Sequence, residues 1–184
     1  MHRCQFMKRY LLAALAIITA ACSADIDEPA RQDGLLGLTA PAFVRFQTDA
    51  YAAAEKSASF WAVPGQQRSI SLRYADTNDE FLNFTVGPNS LAGDSVLITV
   101  TTATDGSMKF NFEPSGLQFS RQYPATLRIN HSRSTLSPLL APLVSIWRHD
   151  VDAAPWLQLP TLHLFGDVVQ SDVRHFTDFG MAVN

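Results

Sequence analysis

The feature that most limits the fold is a run of alternating side chains from Gly93 to Ile129, GDSVLITVTTATDGSMKFNFEPSGLQFSRQYPATLRI. Val96, Ile98 and Val100 alternate with Leu97, Thr99 and Thr101. A strand sends successive side chains to opposite faces, so this period describes a half-buried strand, and its β-branched residues favour one. Asp105-Gly106 marks a tight turn. Met108, Phe110 and Phe112 then alternate with Lys109, Asn111 and Glu113 as the returning strand. Pro114-Ser115-Gly116 turns the chain again, because Pro pre-sets φ and Gly supplies a positive one. After Tyr123-Pro124 a third strand carries Ala125, Leu127 and Ile129 on one face. The stretch predicts an antiparallel β-sheet.

The flanks use the same grammar. Phe43, Val44 and Phe46 suggest a short first strand, and Ala50 to Lys56 a helical turn or loop. Strands are expected at Ser59–Val63, at Ile70 and Leu72, and at Phe81–Val86 with Leu82, Phe84 and Val86 on one face. Asn130 to Leu139 reads as a polar loop. Further strands are expected at Leu143–His149, Trp156–Leu159 and Val168–Val173, and the chain closes on HFTDFGMAV. Nine or ten short strands separated by Gly, Pro, Asn and Asp predict an all-β protein, an antiparallel two-sheet β-sandwich, over residues 41–184.

With 184 residues, 47% hydrophobic and 17% charged, the chain is large and apolar enough for one domain with a real core. Removing Arg3, Lys8 and Arg9 with a leader leaves 11 basic against 17 acidic residues, a net charge near −6. No basic stripe gathers anywhere, so nucleic acid is not an expected partner. The two cysteines, Cys4 and Cys22, lie in or at the end of the leader, which rules out disulfides and thiolate metal sites in the domain.

The amino terminus reads as an export signal over residues 1–21. Lys8 and Arg9 precede the apolar run Leu11–Ile18, which is too short for a stable membrane span. Thr19-Ala20-Ala21-Cys22 resembles the lipobox of bacterial lipoproteins, with Thr19 where that motif prefers Leu. The resemblance implies that Cys22 is acylated, with palmitate-type chains, and becomes the first residue of the mature protein. The alternative is an ordinary secretory signal cut near Ala21. Met7 opens a more conventional leader, MKRYLLAALAIITAAC, and is an alternative start to Met1. Ser23 follows the cysteine rather than Asp, which by the enterobacterial sorting pattern favours the outer membrane. Residues 22–40, polar and acidic with Pro29, Gly34 and Gly37, read as a flexible tether.

Several segments together resemble the β-sandwich domain shared by the zonula-occludens tight-junction protein, netrin receptors and ankyrins. They are FWAVPGQQRSISLRY, FLNFTVGPNSL, GDSVLITVT, FEPSGLQFSRQYPATLRI and VVQSDVRHFTDFGMAV, across roughly residues 58 to 184. Glu113 to Phe119 and Pro124 to Leu127 fit that family's P-x-G-L-x-F and P-A-T-L patterns. The resemblance implies the fold and carries no ligand, since this sandwich serves unrelated tasks.

His175-Phe176-Thr177 is the sharpest chemical signal. Some members of this wider sandwich group cut themselves after the second residue of such a tripeptide. The Thr177 hydroxyl would attack the Phe176 carbonyl with His175 as general base, and water would then hydrolyse the ester. The plainer reading is final-strand grammar, with Phe176 on one face and His175 and Thr177 on the other. His131, His149 and His163 stand singly, with no paired metal-ligand spacing, and no metal or cofactor is expected. Asp76-Thr77-Asn78-Asp79 lacks the closing Glu of a calcium loop and reads as a solvated turn. Ser115 lacks a nucleophile elbow and reads as a turn residue. Trp61, Trp147 and Trp156 are expected in the core, with a carbohydrate-stacking surface as the alternative. The chain is thus expected to be a lipid-anchored envelope protein with a binding or structural role. Its expected partners are the membrane and a protein or polysaccharide. A module cutting itself between Phe176 and Thr177 is the alternative.

Overall fold

The computed structural model describes residues 41–150 and 153–183. The leader, Cys22 and the tether to residue 40 lie outside the described residues, as do residues 151–152 of the expected acidic turn. In chain order the elements are β1 (Ala42–Phe43), a short helix α1 (Thr48–Ala53), β2 (Ser57–Ala62), β3 (Arg68–Arg73), β4 (Glu80–Val86), β5 (Val96–Thr102), β6 (Lys109–Glu113) and β7 (Ala125–Asn130). A 3-10 turn (Ala141–Leu143) follows, then β8 (Val144–Asp150), β9 (Ala153–Gln158), β10 (Leu162–Leu164), β11 (Val168–Val173) and β12 (Asp178–Val183).

Two antiparallel sheets pack face to face, as the expected sandwich requires. One has the order β2-β5-β6-β12-β8-β9, with β1 also paired to β12. The other runs β10-β11-β7-β4-β3. The alternation in the sequence becomes the inner faces. Ile98, Val100, Phe110, Phe112, Val144, Ile146, Phe179 and Met181 meet Leu72, Leu82, Phe84, Ala125, Leu127, Ile129, Val169 and Val173, all essentially without solvent exposure. Rings bridge the two sheets edge to face, as between Phe84 and Phe112 at 5.2 Å. That geometry sets the electropositive ring edge against the electronegative face.

The Gly93–Ile129 stretch departs from expectation in one respect. β5 and β6 pair in the large sheet, but β7 pairs with β4 and β11 in the small one. A two-residue hairpin would keep consecutive strands in one sheet. The eleven-residue connection from Pro114 to Pro124 is instead long enough to cross the sandwich. The crossing buries the apolar face of β7, Ala125, Leu127 and Ile129, against the large sheet. Twelve strands stand among the described residues, against the nine or ten expected; β1 falls at the expected first strand, and β10 is too short to show a period. The polar loop after β7 is tied down. Arg133 pairs with Asp76 at 2.8 Å and Asp49 at 3.2 Å, and its guanidinium lies 4.6 Å from the Tyr74 ring centre. The guanidinium holds the Asp76 carboxyl below its usual range, and burial pushes the Tyr74 phenol up to about 12.

β12 is the hub of the large sheet. It pairs with β8 along its whole length, with β6 at its start and with β1 at its end. Where the partner changes, three backbone amides close a ring. Val44 N–H donates to Met181 O, Met181 N–H to Met108 O, and Met108 N–H to Val44 O, at 2.8 to 3.0 Å. The Phe43 ring lies close against Gly180 of β12, on the outer face. A Cβ on Gly180 would sit 2.5 Å from that ring. Glycine is required here by close approach. Gly180→Ala is expected to destabilise the domain by about 1–3 kcal/mol through overpacking. In a Phe43→Ala background the same change should cost less, and a double-mutant cycle in urea measures the difference.

Candidate functional site

The segment ahead of β12 is held by the turn after β6. Phe119 N–H donates to Arg174 O at 2.7 Å, Phe176 N–H to Leu117 O at 2.7 Å, and Gly116 N–H to Phe176 O at 3.0 Å. Gly116 adopts φ +78, the left-handed region that glycine enters without strain, and its amide thereby points at the Phe176 carbonyl. The Phe176 side chain is buried among Phe84, Phe112 and Phe119, with ring centres 5.0 to 5.3 Å away.

The tripeptide differs from plain strand grammar. Phe176 points inward as expected, but Thr177 is buried too, at 3% exposure, while His175 is only half buried. The segment turns before β12 begins, so the alternation breaks at Thr177. The Thr177 hydroxyl is sealed from solvent and has no hydrogen-bond partner. His175 Nδ1 lies 3.4 Å from an Arg148 guanidinium nitrogen, across from β8. Just beyond, Asn111 Nδ2 donates to Asp178 Oδ1 at 2.7 Å and fixes the start of β12.

This places three parts of an acyl shift around one peptide bond. They are a hydroxyl one residue on from the carbonyl, a backbone N–H already on the carbonyl oxygen, and an imidazole on the preceding residue. In such a shift the Thr177 oxygen adds to the Phe176 carbonyl carbon, and the developing oxyanion stays on the Gly116 amide. The C–N bond breaks, the Thr177 nitrogen leaves protonated, and water later cleaves the ester. The imidazole does not bond the hydroxyl in the resting arrangement, and such contacts often tighten only as reaction proceeds.

The remaining candidates are dispersed. The Asp76 carboxylate is taken by Arg133. Ser115 sits in the turn that positions Gly116. The tryptophans are neither core residues nor one surface. Trp61 is 59% exposed on β2, at the opposite sheet edge from Trp156 on β9. Trp156 stacks edge-on against Phe43 at 4.5 Å and lies 5.2 Å from His149. Trp147 is opposite Gly180, half buried, with its indole nitrogen sealed and unpaired. Val144 and Ile146 take the inner face of β8, which forces Trp147 to the outer one.

Sequence spacing gave no sign that His131 and His163 meet. They line one cleft of about 350 Å³ with Asp167, between the 3-10 turn and the β10–β11 hairpin. Only the pairing of β7 with β11 brings them together. Among the described residues no three His, Cys, Asp or Glu side chains converge as a metal site. Burial holds the His131 imidazole below its ordinary pKa, opposed by the nearby Asp167 carboxylate and aided by His163. No family model matches the chain, and no curated protein matches it.

Two measurements follow from this geometry. Thr177→Val keeps the shape and deletes an unpaired buried hydroxyl, so it should be neutral or stabilising by about 1 kcal/mol in urea denaturation. For His131, the folded state disfavours the proton relative to the unfolded chain. Its contribution is therefore complete above the unfolded pKa of about 6.5 and is lost as pH falls through it. The urea midpoint should drop between pH 7 and pH 5, and the slope should be shallower in His131→Gln.

Proposed function

We propose that this protein is a membrane-anchored extracytoplasmic lipoprotein whose β-sandwich has a binding or structural role at the cell envelope. The observation that carries the reading is the leader: Lys8-Arg9, the apolar run Leu11–Ile18, and small residues ending at Cys22. Acylation at that cysteine tethers the sandwich to a bilayer, and more than one acyl chain makes the tether stable. The residue after it, Ser23, favours the outer membrane in a Gram-negative cell. The domain is of the kind shared by zonula-occludens, netrin-receptor and ankyrin proteins, and it presents a protein- or polysaccharide-binding surface.

Metabolic labelling with an alkyne fatty acid tests the anchor. The full chain is expected to carry the label, and Cys22→Ala to lose it. Label retained by the alanine variant would sink the reading.

A second reading is favoured by the buried, unpartnered Thr177 hydroxyl beside a carbonyl already hydrogen-bonded by Gly116. On it the domain cuts itself between Phe176 and Thr177. The cut piece, residues 177–184, contains β12, which is hydrogen-bonded on both edges. It would stay in place after cleavage, so mass must be read under denaturing conditions. A mass lacking residues 177–184, abolished by Thr177→Ala, supports self-cleavage. An intact chain after prolonged incubation excludes it.

A further inference from the structure

One end of the sandwich gathers apolar side chains that the core does not use. Leu139 is 87% exposed, Leu143 51% and Phe165 103%. Leu140 and Leu164 are more than a third exposed. They come from two loops that face each other. The cleft shared by Ala141, Pro142, His163 and Leu164 places the 3-10 turn against the β10–β11 hairpin. A monomer seldom leaves large apolar side chains gathered without a use.

The same end receives the chain from its amino-terminal side. Ala42 pairs with Val183, and Val183 with Val144, the residue directly after Leu143. The route from Cys22 therefore joins the domain two strands from the exposed leucines. Twenty positions separate Cys22 from Ala42, an extended reach of at most about 70 Å. The opposite end of the sandwich carries the loops at Pro64-Gly65, Pro88-Asn89 and Pro114-Gly116, with Tyr123 half exposed.

We propose that this apolar end is a membrane-docking surface. The tips bearing Leu139, Leu140, Leu143, Leu164 and Phe165 enter the headgroup region of the bilayer that holds the acylated Cys22. The proposal rests on the anchor reading and specifies how the domain meets the membrane. Side chains of this kind bury only the outer part of a leaflet, about 5–10 Å. Their affinity alone is weak. A covalent anchor raises the local concentration of the bilayer to the millimolar range, so weak docking suffices. The occupant is a zwitterionic surface, because the chain after the leader is near −6 and anionic lipid would repel it.

The mature chain has no thiol apart from Cys22, so a new cysteine can be labelled alone. Full-length lipoprotein carrying Phe165→Cys, Leu139→Cys or Tyr123→Cys is labelled with an environment-sensitive dye. Each is then mixed with phosphatidylethanolamine–phosphatidylcholine vesicles containing spin-labelled lipid. Dyes at 165 and 139 are expected to shift to the blue and to be quenched about two-fold or more, as interfacial groups are. The dye at 123, at the other end, is expected to stay aqueous. Phe165→Asp placed in the Leu139→Cys chain should weaken quenching at 139, with an unchanged urea midpoint as the control for folding.

Acyl labelling of the same samples separates the two readings. Aqueous dyes at 165 and 139 on an acylated chain overturn the docking surface and leave the anchor standing. Quenched dyes on a chain without acyl label support docking by itself. A blue shift that is independent of vesicles and grows with protein concentration identifies a second copy as the occupant, and overturns the proposal.

Discussion

The large sheet depends on its last strand. β12 comes from the final residues of the described chain, yet it stands between β6 and β8 and also receives β1. Without it, the three-stranded β2-β5-β6 and the pair β8-β9 are separate pieces, each with an apolar face and an open edge. The three-way amide ring at Val44, Met108 and Met181 ties the first, middle and last parts of the domain at one level. Every β12 partner, β8 included, is distant in sequence, so closing the sheet costs loop entropy before its contacts are made. The same strand carries Phe179 and Met181 into the core and Gly180 under Phe43. One short segment thus serves both faces of the sheet.

Close packing on both faces of β12 leaves two sealed polar groups without partners. The Thr177 hydroxyl and the Trp147 indole nitrogen are both sealed beside β12 or just ahead of it. A buried polar atom lacking a hydrogen bond costs about 1–3 kcal/mol. At Trp147 the ring contributes area on the outer face, which offsets that cost. At Thr177 the side chain is small and contributes little area, so its hydroxyl is the harder one to explain by packing. The Phe176–Thr177 bond thus joins a carbonyl that already accepts from the Gly116 amide to a residue whose hydroxyl is sealed and unpaired.

The two ends of the sandwich are built differently. At the end where Ala42 enters, α1 and the Arg133 network with Asp49 and Asp76 close the gap beside β3 and β4. Beside β8 and β10 the same end exposes Leu139, Leu143 and Phe165 around the cleft that holds His131, His163 and Asp167. Charged closure on one side and exposed leucines on the other give the end a direction.

Much of the fold was legible because burial imposes a period of two. Ile98, Val100, Phe110, Phe112, Leu127 and Ile129 occupy the inner faces that their spacing announced. Which sheet each strand joins was not legible, since alternation is the same in either sheet. β7 therefore crossed where one sheet was expected. The tryptophans misled for a related reason: a large apolar ring suggests the core, but Val144 and Ile146 had already claimed the inner face of β8. The sequence by itself determined the strand grammar, the turn positions and the residues of the His175-Phe176-Thr177 segment, because these depend on local backbone geometry and side-chain chemistry. Only the tertiary structure decided that β12 lies at the centre of a sheet, that Gly116 meets the Phe176 carbonyl, and that Leu139 and Phe165 share an end with Ala42. Those are long-range pairings, chosen by how two apolar faces exclude water together.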